Sequence, residues 1–230
     1  MSDSGTLFHV HTGSSATFFG TAGFGIDGGG EVYLEADVTP GSSPGLETFG
    51  GNVHFGVLSN LQIEIAGTVP GAEFDVLNVL GDVTLGGSLD VSLLNPFSLS
   101  PGQSFEIIDV GGSLSGSFLG LAEGGLVGNF GGTNLLITYA GGDGNDVALL
   151  SALPGDFDID GDVDGFDFLQ WQRGESPDPL SQSDLADWEM NYGAVAPLSA
   201  ASTAVPEPMT WIGLLIGIMA LLFRRGAIVS

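Results

Sequence analysis

Leu77-Asn-Val79-Leu80-Gly81-Asp82-Val83-Thr84-Leu85-Gly86-Gly87-Ser88-Leu89-Asp90-Val91-Ser92-Leu93 is the stretch on which the fold turns. Apart from Gly81 and Gly87, its odd positions, Leu77, Val79, Val83, Leu85, Leu89, Val91 and Leu93, carry apolar side chains. The even positions are Asn78, Asp82, Thr84, Gly86, Ser88, Asp90 and Ser92, with Leu80 the one exception. A period of two belongs to strands with one buried face, since a helix would repeat its apolar residues every three to four. Gly81 and Gly86-Gly87 punctuate the run as turns or bends.

Working outward, Leu61, Ile63 and Ile65 alternate in the same way. Further strands are expected over 32–38, 74–79, 105–110, 135–140 and 147–150, separated by turns at 40–45, Pro70-Gly71 and Pro101-Gly102. Nothing before residue 155 reads as an amphipathic helix. The 39 glycines are spread among Val, Leu, Ile and Phe without a collagen-like period, and the 43% hydrophobic content suffices for a core. The expected fold is therefore mainly β, with residues 1–153 as a Gly-rich β scaffold. Two architectures fit it, a parallel β-solenoid ending in an antiparallel cap or, as the alternative, a β-sandwich. The segments 39–45, 74–79 and 85–91 resemble the ends of autotransporter-like β-solenoid passengers of large bacterial surface proteins, which implies that 1–153 is the C-terminal part of a longer solenoid.

Composition narrows the function. Among 230 residues there is no lysine, and the formal net charge is −25. Arg173 is the only basic residue before position 224. Nothing on such a chain displaces counterions from phosphates, so nucleic acid is excluded as a partner. The absence of cysteine removes disulfides and thiolate metal sites.

Asp156-Phe-Asp158-Ile-Asp160-Gly161-Asp162-Val163-Asp164-Gly-Phe-Asp167 is a twelve-residue loop with carboxylates at positions 1, 3, 5, 9 and 12 and glycine at 6. Calcium takes six to eight oxygens, and alternate residues of a curled loop point inward to supply them, with the Asp162 carbonyl at position 7. Asp156, Asp158, Asp160, Asp162, Asp164 and Asp167 are the candidate calcium residues, and binding is expected to be coupled to folding of the loop. Asp167 stands where an EF-hand has Glu, and Pro154-Gly155 replaces the incoming helix. Together with a second stretch, Asp184-Leu-Ala-Asp187-Trp-Glu-Met-Asn-Tyr-Gly193, this resembles a duplicated type I dockerin unit over 154–193, small and α-helical, with an F-hand loop followed by a helix. Read twenty residues on, Asp184 matches Asp164 and Asp187 matches Asp167. Asp164 is expected to cap the first helix, and Leu185, Trp188 and Tyr192 to pack on Phe168 and Trp171. The second loop, through Ser176, Asp178 and Ser181, lacks ligands at positions 1 and 5 and the glycine at 6. Asp178, Asp184 and Asp187 are accordingly only a weak second site. Dockerins meet cohesin partners through loop positions 10 and 11. Here these are Gly165-Phe166 and Leu185-Ala186 rather than hydroxyls, so cohesin binding is unsupported.

Other chemistry is sparse. Gly141-Gly-Asp-Gly-Asn-Asp146-Val-Ala-Leu149 matches one copy of the calcium nonapeptide, but a lone copy lacks its stacked neighbour and reads as a turn with Asp143 and Asp146 solvated. His9 and His11 share a strand face without a third ligand, and with His54 read as structural. No serine sits in a nucleophile elbow, and acidic pairs such as Glu73/Asp75 read as a solvated face. No catalytic residue is assigned, and the chain is read as not an enzyme.

After a linker over 194–204, residues 205–230 begin Val205-Pro206-Glu207-Pro208, run apolar over 209–223 and reach Arg224-Arg225. The core of that run, 211–223, makes about 20 Å of helix at 1.5 Å per residue, short of the roughly 30 Å a permanent span crosses. The arginines are expected to stay on the cytoplasmic side. The order of parts resembles the PEP-CTERM sorting signal, which implies export, a membrane helix at 209–223, an exosortase-like processing enzyme at the inner membrane, and a destination on the cell surface or in the extracellular matrix. The five residues after Arg225 depart from that pattern. Residues 1–15 show no export signal, from which the chain is expected to be the C-terminal part of a longer protein or to have a misassigned start. The leading expectation is a calcium-stabilised structural or adhesive protein of the surface or matrix, with extracellular polysaccharide as a partner. The alternatives are the tail of a polysaccharide-degrading enzyme whose catalytic domain lies upstream, and a cohesin-binding assembly subunit.

Overall fold

In the computed structural model the described residues are 7–10 and 15–17, as backbone, and 30–41 and 44–196. His11 and the side chain of His9 lie outside them, as do the tail residues Val205, Pro206, Glu207, Pro208, Arg224 and Arg225 and the apolar run 209–223. Among the described residues no helix is long and apolar enough to cross a membrane.

The chain is mainly β. The described strands are β1 (Leu7–Val10), β2 (Ser15–Thr17), β3 (Glu31–Leu34), β4 (Asp37–Thr39), β5 (Leu46–Phe49), β6 (Asn52–Phe55), β7 (Asn60–Ile65), β8 (Val76–Val79), β9 (Val83–Leu85), β10 (Ser88–Leu93), β11 (Ser104–Val110), β12 (Leu114–Gly116), β13 (Leu126–Phe130), β14 (Thr133–Gly141) and β15 (Asp146–Ala152). Helices α1 (Gly165–Arg173) and α2 (Gln182–Asn191) follow.

The quoted run of alternation is three strands, β8, β9 and β10, broken at Leu80–Asp82 and at Gly86-Gly87. Each belongs to a different sheet. The first sheet runs β1-β3-β6-β9-β12, the second β10-β7-β4-β2, and the third β13-β14-β15-β11-β8-β5. Every pair in the first two sheets is parallel, as are β5-β8 and β8-β11 in the third. Antiparallel ladders join only β11, β15, β14 and β13. Three times in succession the chain visits the first, second and third sheet, as β3-β4-β5, β6-β7-β8 and β9-β10-β11. The expected strand over 32–38 is likewise divided, into β3 and β4.

This register keeps apolar side chains in columns. Val32 faces Val53 and Val53 faces Val83, Val38 faces Leu61, and Phe49 faces Val79, which faces Val110. All of these side chains are buried. Each fully buried Val, Leu, Ile or Phe contributes roughly 1.5–3 kcal/mol relative to exposure. Leu80, the exception to the alternation, lies in a turn and is 60% exposed.

One corner explains part of the glycine content. Asn52 N donates to Gly30 O at 2.9 Å and Gly112 N to Gly81 O at 3.0 Å. A Cβ on Gly81 would meet Gly51 O at 2.6 Å, closer than packing allows. Beside it runs a polar ladder: Asn52 Nδ2 donates to Glu31 Oε1 (2.9 Å), Asp82 N to Asn52 Oδ1 (2.8 Å), and Ser113 N to Asp82 Oδ1 (2.8 Å).

Candidate metal centre

The acidic loop is built from the helix that follows it. Asp164 is the N-cap of α1, its Oδ1 accepting from Phe166 N at 2.6 Å, and Asp167 completes a capping box by accepting from Asp164 N at 2.7 Å. Asp167 is fully buried, and its other oxygen accepts from Phe157 N (2.6 Å) and Asp158 N (3.2 Å). One carboxylate thus ties both ends of the loop together. Gly161 at φ +97° makes the sharp turn, and Ile159 at φ +60° holds a conformation that a β-branched residue adopts at a cost of about 1–3 kcal/mol.

Oxygens of Asp156, Asp158 and Asp167 lie within 4.8 Å of one another. Asp156 is 2% exposed, and its Oδ1 has no hydrogen-bond partner, while Oδ2 accepts from Gly161 N at 3.2 Å. Leaving such an atom unmatched costs about 1–3 kcal/mol, more if charged. Desolvation, and then the Asp167 charge, push the Asp156 carboxyl up to about 7; desolvation and the same neighbour also raise Asp158. Asp160, Asp162 and Asp164 are outside this oxygen group. Asp160 Oδ1 instead accepts from Asp162 N at 3.1 Å, and Asp162 is raised by desolvation and by Asp160. The donor set is all oxygen, hard and anionic, with one buried oxygen unmatched, which fits calcium better than a soft metal.

The second half of the module aligns differently from the twenty-residue reading. The N-cap of α2 is Ser181, which accepts from Asp184 N at 3.1 Å. Asp184 is buried and accepts from Asp178 N at 2.9 Å, the role Asp167 has toward Phe157. The indoles close the symmetry: Trp171 Nε1 donates to Ser181 O at 2.8 Å and Trp188 Nε1 to Asp164 O at 2.6 Å, each to the N-cap residue of the other helix. Asp164 therefore corresponds to Ser181, Asp167 to Asp184 and Trp171 to Trp188. Asp187 has no ligand-like counterpart; it lies within α2 and is raised by desolvation and by Asp184. The bond that closes the first loop spans ten residues and its equivalent in the second spans six, so the second loop is too short to wrap a cation with the same set. Phe168 packs on Trp188 at 4.8 Å, while Tyr192 is largely exposed.

The single nonapeptide copy forms the expected turn, between β14 and β15 with Asp143 exposed, but Asp146 is not solvated. Asp146 is 4% exposed, and its carboxylate accepts from Val110 N (2.7 Å) and Asp143 N (3.1 Å), binding β15 to the end of β11. Its oxygens lie near those of Glu106 and Asp109, both raised by desolvation and then by Asp146, beside a groove of about 470 Å³ that also has Leu46, Phe74 and Asn78 in its lining. Nor is Asp75 solvated. It is fully buried, accepts from Gly45 N (2.6 Å) and Glu64 N (2.8 Å), and is pushed up to about 6 by desolvation. Glu73 accepts from Thr68 N and Val69 N in the preceding turn. His54 meets Glu31 at 2.6 Å and stacks on Tyr33 at 4.6 Å.

Fold and site together define a mainly β chain with an acidic loop-and-helix module appended. A scan of protein-family models returns no match to the chain, and neither does a search of curated proteins.

Proposed function

We propose that this chain is a non-enzymatic, exported structural or adhesive protein of the cell surface or matrix, stabilised by one calcium ion in a dockerin-like module. The β body is read as a β-solenoid leading into an antiparallel cap, a reading supported by three successive visits to the same sheets. Residues 205–230 act as a PEP-CTERM signal that hands the chain to an exosortase-like enzyme at the inner membrane. Extracellular polysaccharide is the proposed partner of the β body. No cohesin is proposed, because Phe166 rather than a hydroxyl follows Gly165.

The observation that carries the calcium part of this reading is a buried Asp156 carboxylate, one oxygen of it unpartnered, grouped with those of Asp158 and Asp167. Asp156, Asp158 and Asp167 with the Asp162 carbonyl would hold the ion, which supplies charge neutralisation and order to the loop. Calorimetric titration of the full chain with calcium is expected to give one site, with affinity in the micromolar range typical of such loops or weaker. Asp158→Ala is expected to abolish it. Titration without heat and without a calcium-dependent rise in thermal stability overturns the reading. Deleting 205–230 is expected to remove the protein from the surface fraction of the producing cell, and unchanged surface exposure refutes the sorting role.

A further inference from the structure

After α2 the chain turns back onto the acidic loop. Gly193 N donates to Val163 O (2.8 Å), Val163 N to Ala194 O (2.9 Å) and Ala196 N to Gly161 O (2.6 Å), around an antiparallel bridge between Asp162 and Val195. Gly161 and Val163 thus spend their facing carbonyl and amide groups on residues 193–196. Peptide groups alternate in direction along an extended segment, so those of Asp162, between them, face the other way. There Asp162 N meets Asp160 Oδ1 at 3.1 Å, and the Asp162 carbonyl, position 7 of the loop, shares that side.

We infer that residues 193–196 are a strap that positions the Asp162 carbonyl for the ion, and that ion occupancy in turn governs release of the strap from the loop. This rests on the calcium reading above. Among the described residues, Ala194 N also donates to Asn191 O at 2.8 Å, and little else fastens the strap. Val195 is 69% exposed, so apolar burial holds it weakly, and its bonds need a loop of defined shape. That shape brings three carboxylates within 4.8 Å, an arrangement whose mutual repulsion grows when no cation neutralises it. Two events that each favour one loop shape are coupled, and the coupling is reciprocal: ion tightens strap as much as strap tightens ion.

The test uses the full chain, with calcium alone as the ligand. Ala196→Pro deletes the N–H that meets Gly161 O and suits an extended segment, so it is expected to weaken calcium binding by about fivefold or more. Ala196→Gly keeps the N–H and is expected to stay within about twofold. The near-ultraviolet signature of the packed Trp171 and Trp188 shows whether each variant is folded. In the wild type, the Gly193 and Ala196 amides are expected to exchange with solvent at least about tenfold faster after chelation than with calcium bound. Ala196→Pro binding calcium as tightly as the wild type overturns the proposal, as do strap amides that exchange equally fast with and without the ion. If Ala196→Pro fails to fold, the wild-type exchange measurement decides alone. A chain that takes up no calcium removes the metal reading and this inference together, whereas calcium binding with an indifferent strap removes only the strap.

Discussion

Replacing Glu47 by Gln is expected to stabilise the β body at alkaline pH and to do progressively less as the solution is acidified. Glu47 in β5 is 2% exposed, and its Oε1 has no hydrogen-bond partner. It sits opposite Leu77, which faces Ile108, both fully buried. Desolvation lifts its carboxyl from 4.5 to about 7. A carboxylate raised on folding contributes least where it must be charged, so stability is lost as pH rises from the unfolded value through the folded one. At about 1.4 kcal/mol per pH unit, the full cost is roughly 3 kcal/mol, reached above pH 7. Gln has nearly the same volume and carries no charge, so the variant escapes that cost. The variant-minus-wild-type difference in unfolding free energy is expected to grow by roughly 2 kcal/mol between pH 5.5 and pH 8. The lower pH keeps clear of the isoelectric point near 4.1. Urea unfolding followed by far-ultraviolet circular dichroism suits the measurement, because Trp171 and Trp188 report on the helical module and not on the β body. A difference that is flat with pH, or a Gln variant less stable at pH 8, refutes the account of Glu47 as a carboxylate strained by burial.

Other expectations follow from single contacts. Trp188→Phe and Trp171→Phe each delete one indole bond to an N-cap carbonyl, and each is expected to cost the module about 1–2 kcal/mol in thermal melts followed by near-ultraviolet dichroism. Gly81→Ala is expected to cost more than about 2 kcal/mol, since its Cβ meets backbone and Asn52 Oδ1, whereas Gly165→Ala, in open space in the first turn of α1, is expected to be neutral or to stabilise by up to about 1 kcal/mol. Asp178→Ala and Asp187→Asn are expected to leave calcium stoichiometry at one in the calorimeter; loss of a second heat event in either variant would refute the short-loop argument.

Much of the β body was legible because alternation is a local signal: β8, β9 and β10 fall where Leu77 to Leu93 alternates, and the breaks fall at its glycines. Which strand meets which was not, because Val53 and Val83 pair across thirty residues of chain and nothing nearby in sequence marks the partner. Glu47 shows where parity alone fails. Leu46-Glu47-Thr48-Phe49 offers either Leu46 with Thr48 or Glu47 with Phe49 to the core. Phe49 is fully buried, and Leu46 is left 45% exposed. The larger aromatic gain decides the face, and the carboxylate is carried inside with it.

The offset between the halves of the helical module is hidden for a related reason. Matching acid to acid sets Asp184 on Asp164 and Asp187 on Asp167, but carboxylates are not the repeating element. The repeating element is a brace, in which an N-cap residue, an N3 acid and a tryptophan recur as Asp164, Asp167, Trp171 and Ser181, Asp184, Trp188. Tryptophan is rare in this chain, and aligning Trp171 with Trp188 would have found the offset from sequence alone. The brace and the ion loop are separable demands on the same two halves. The brace needs one cap, one acid and one indole from each half, and both supply them. The proposed ion needs a loop long enough to bring Asp156 and Asp158 against Asp167, and among the described residues the second half shows no such group. Two-fold architecture therefore does not depend on two ion sites, because each indole holds the opposite helix start whatever the loop beside it carries.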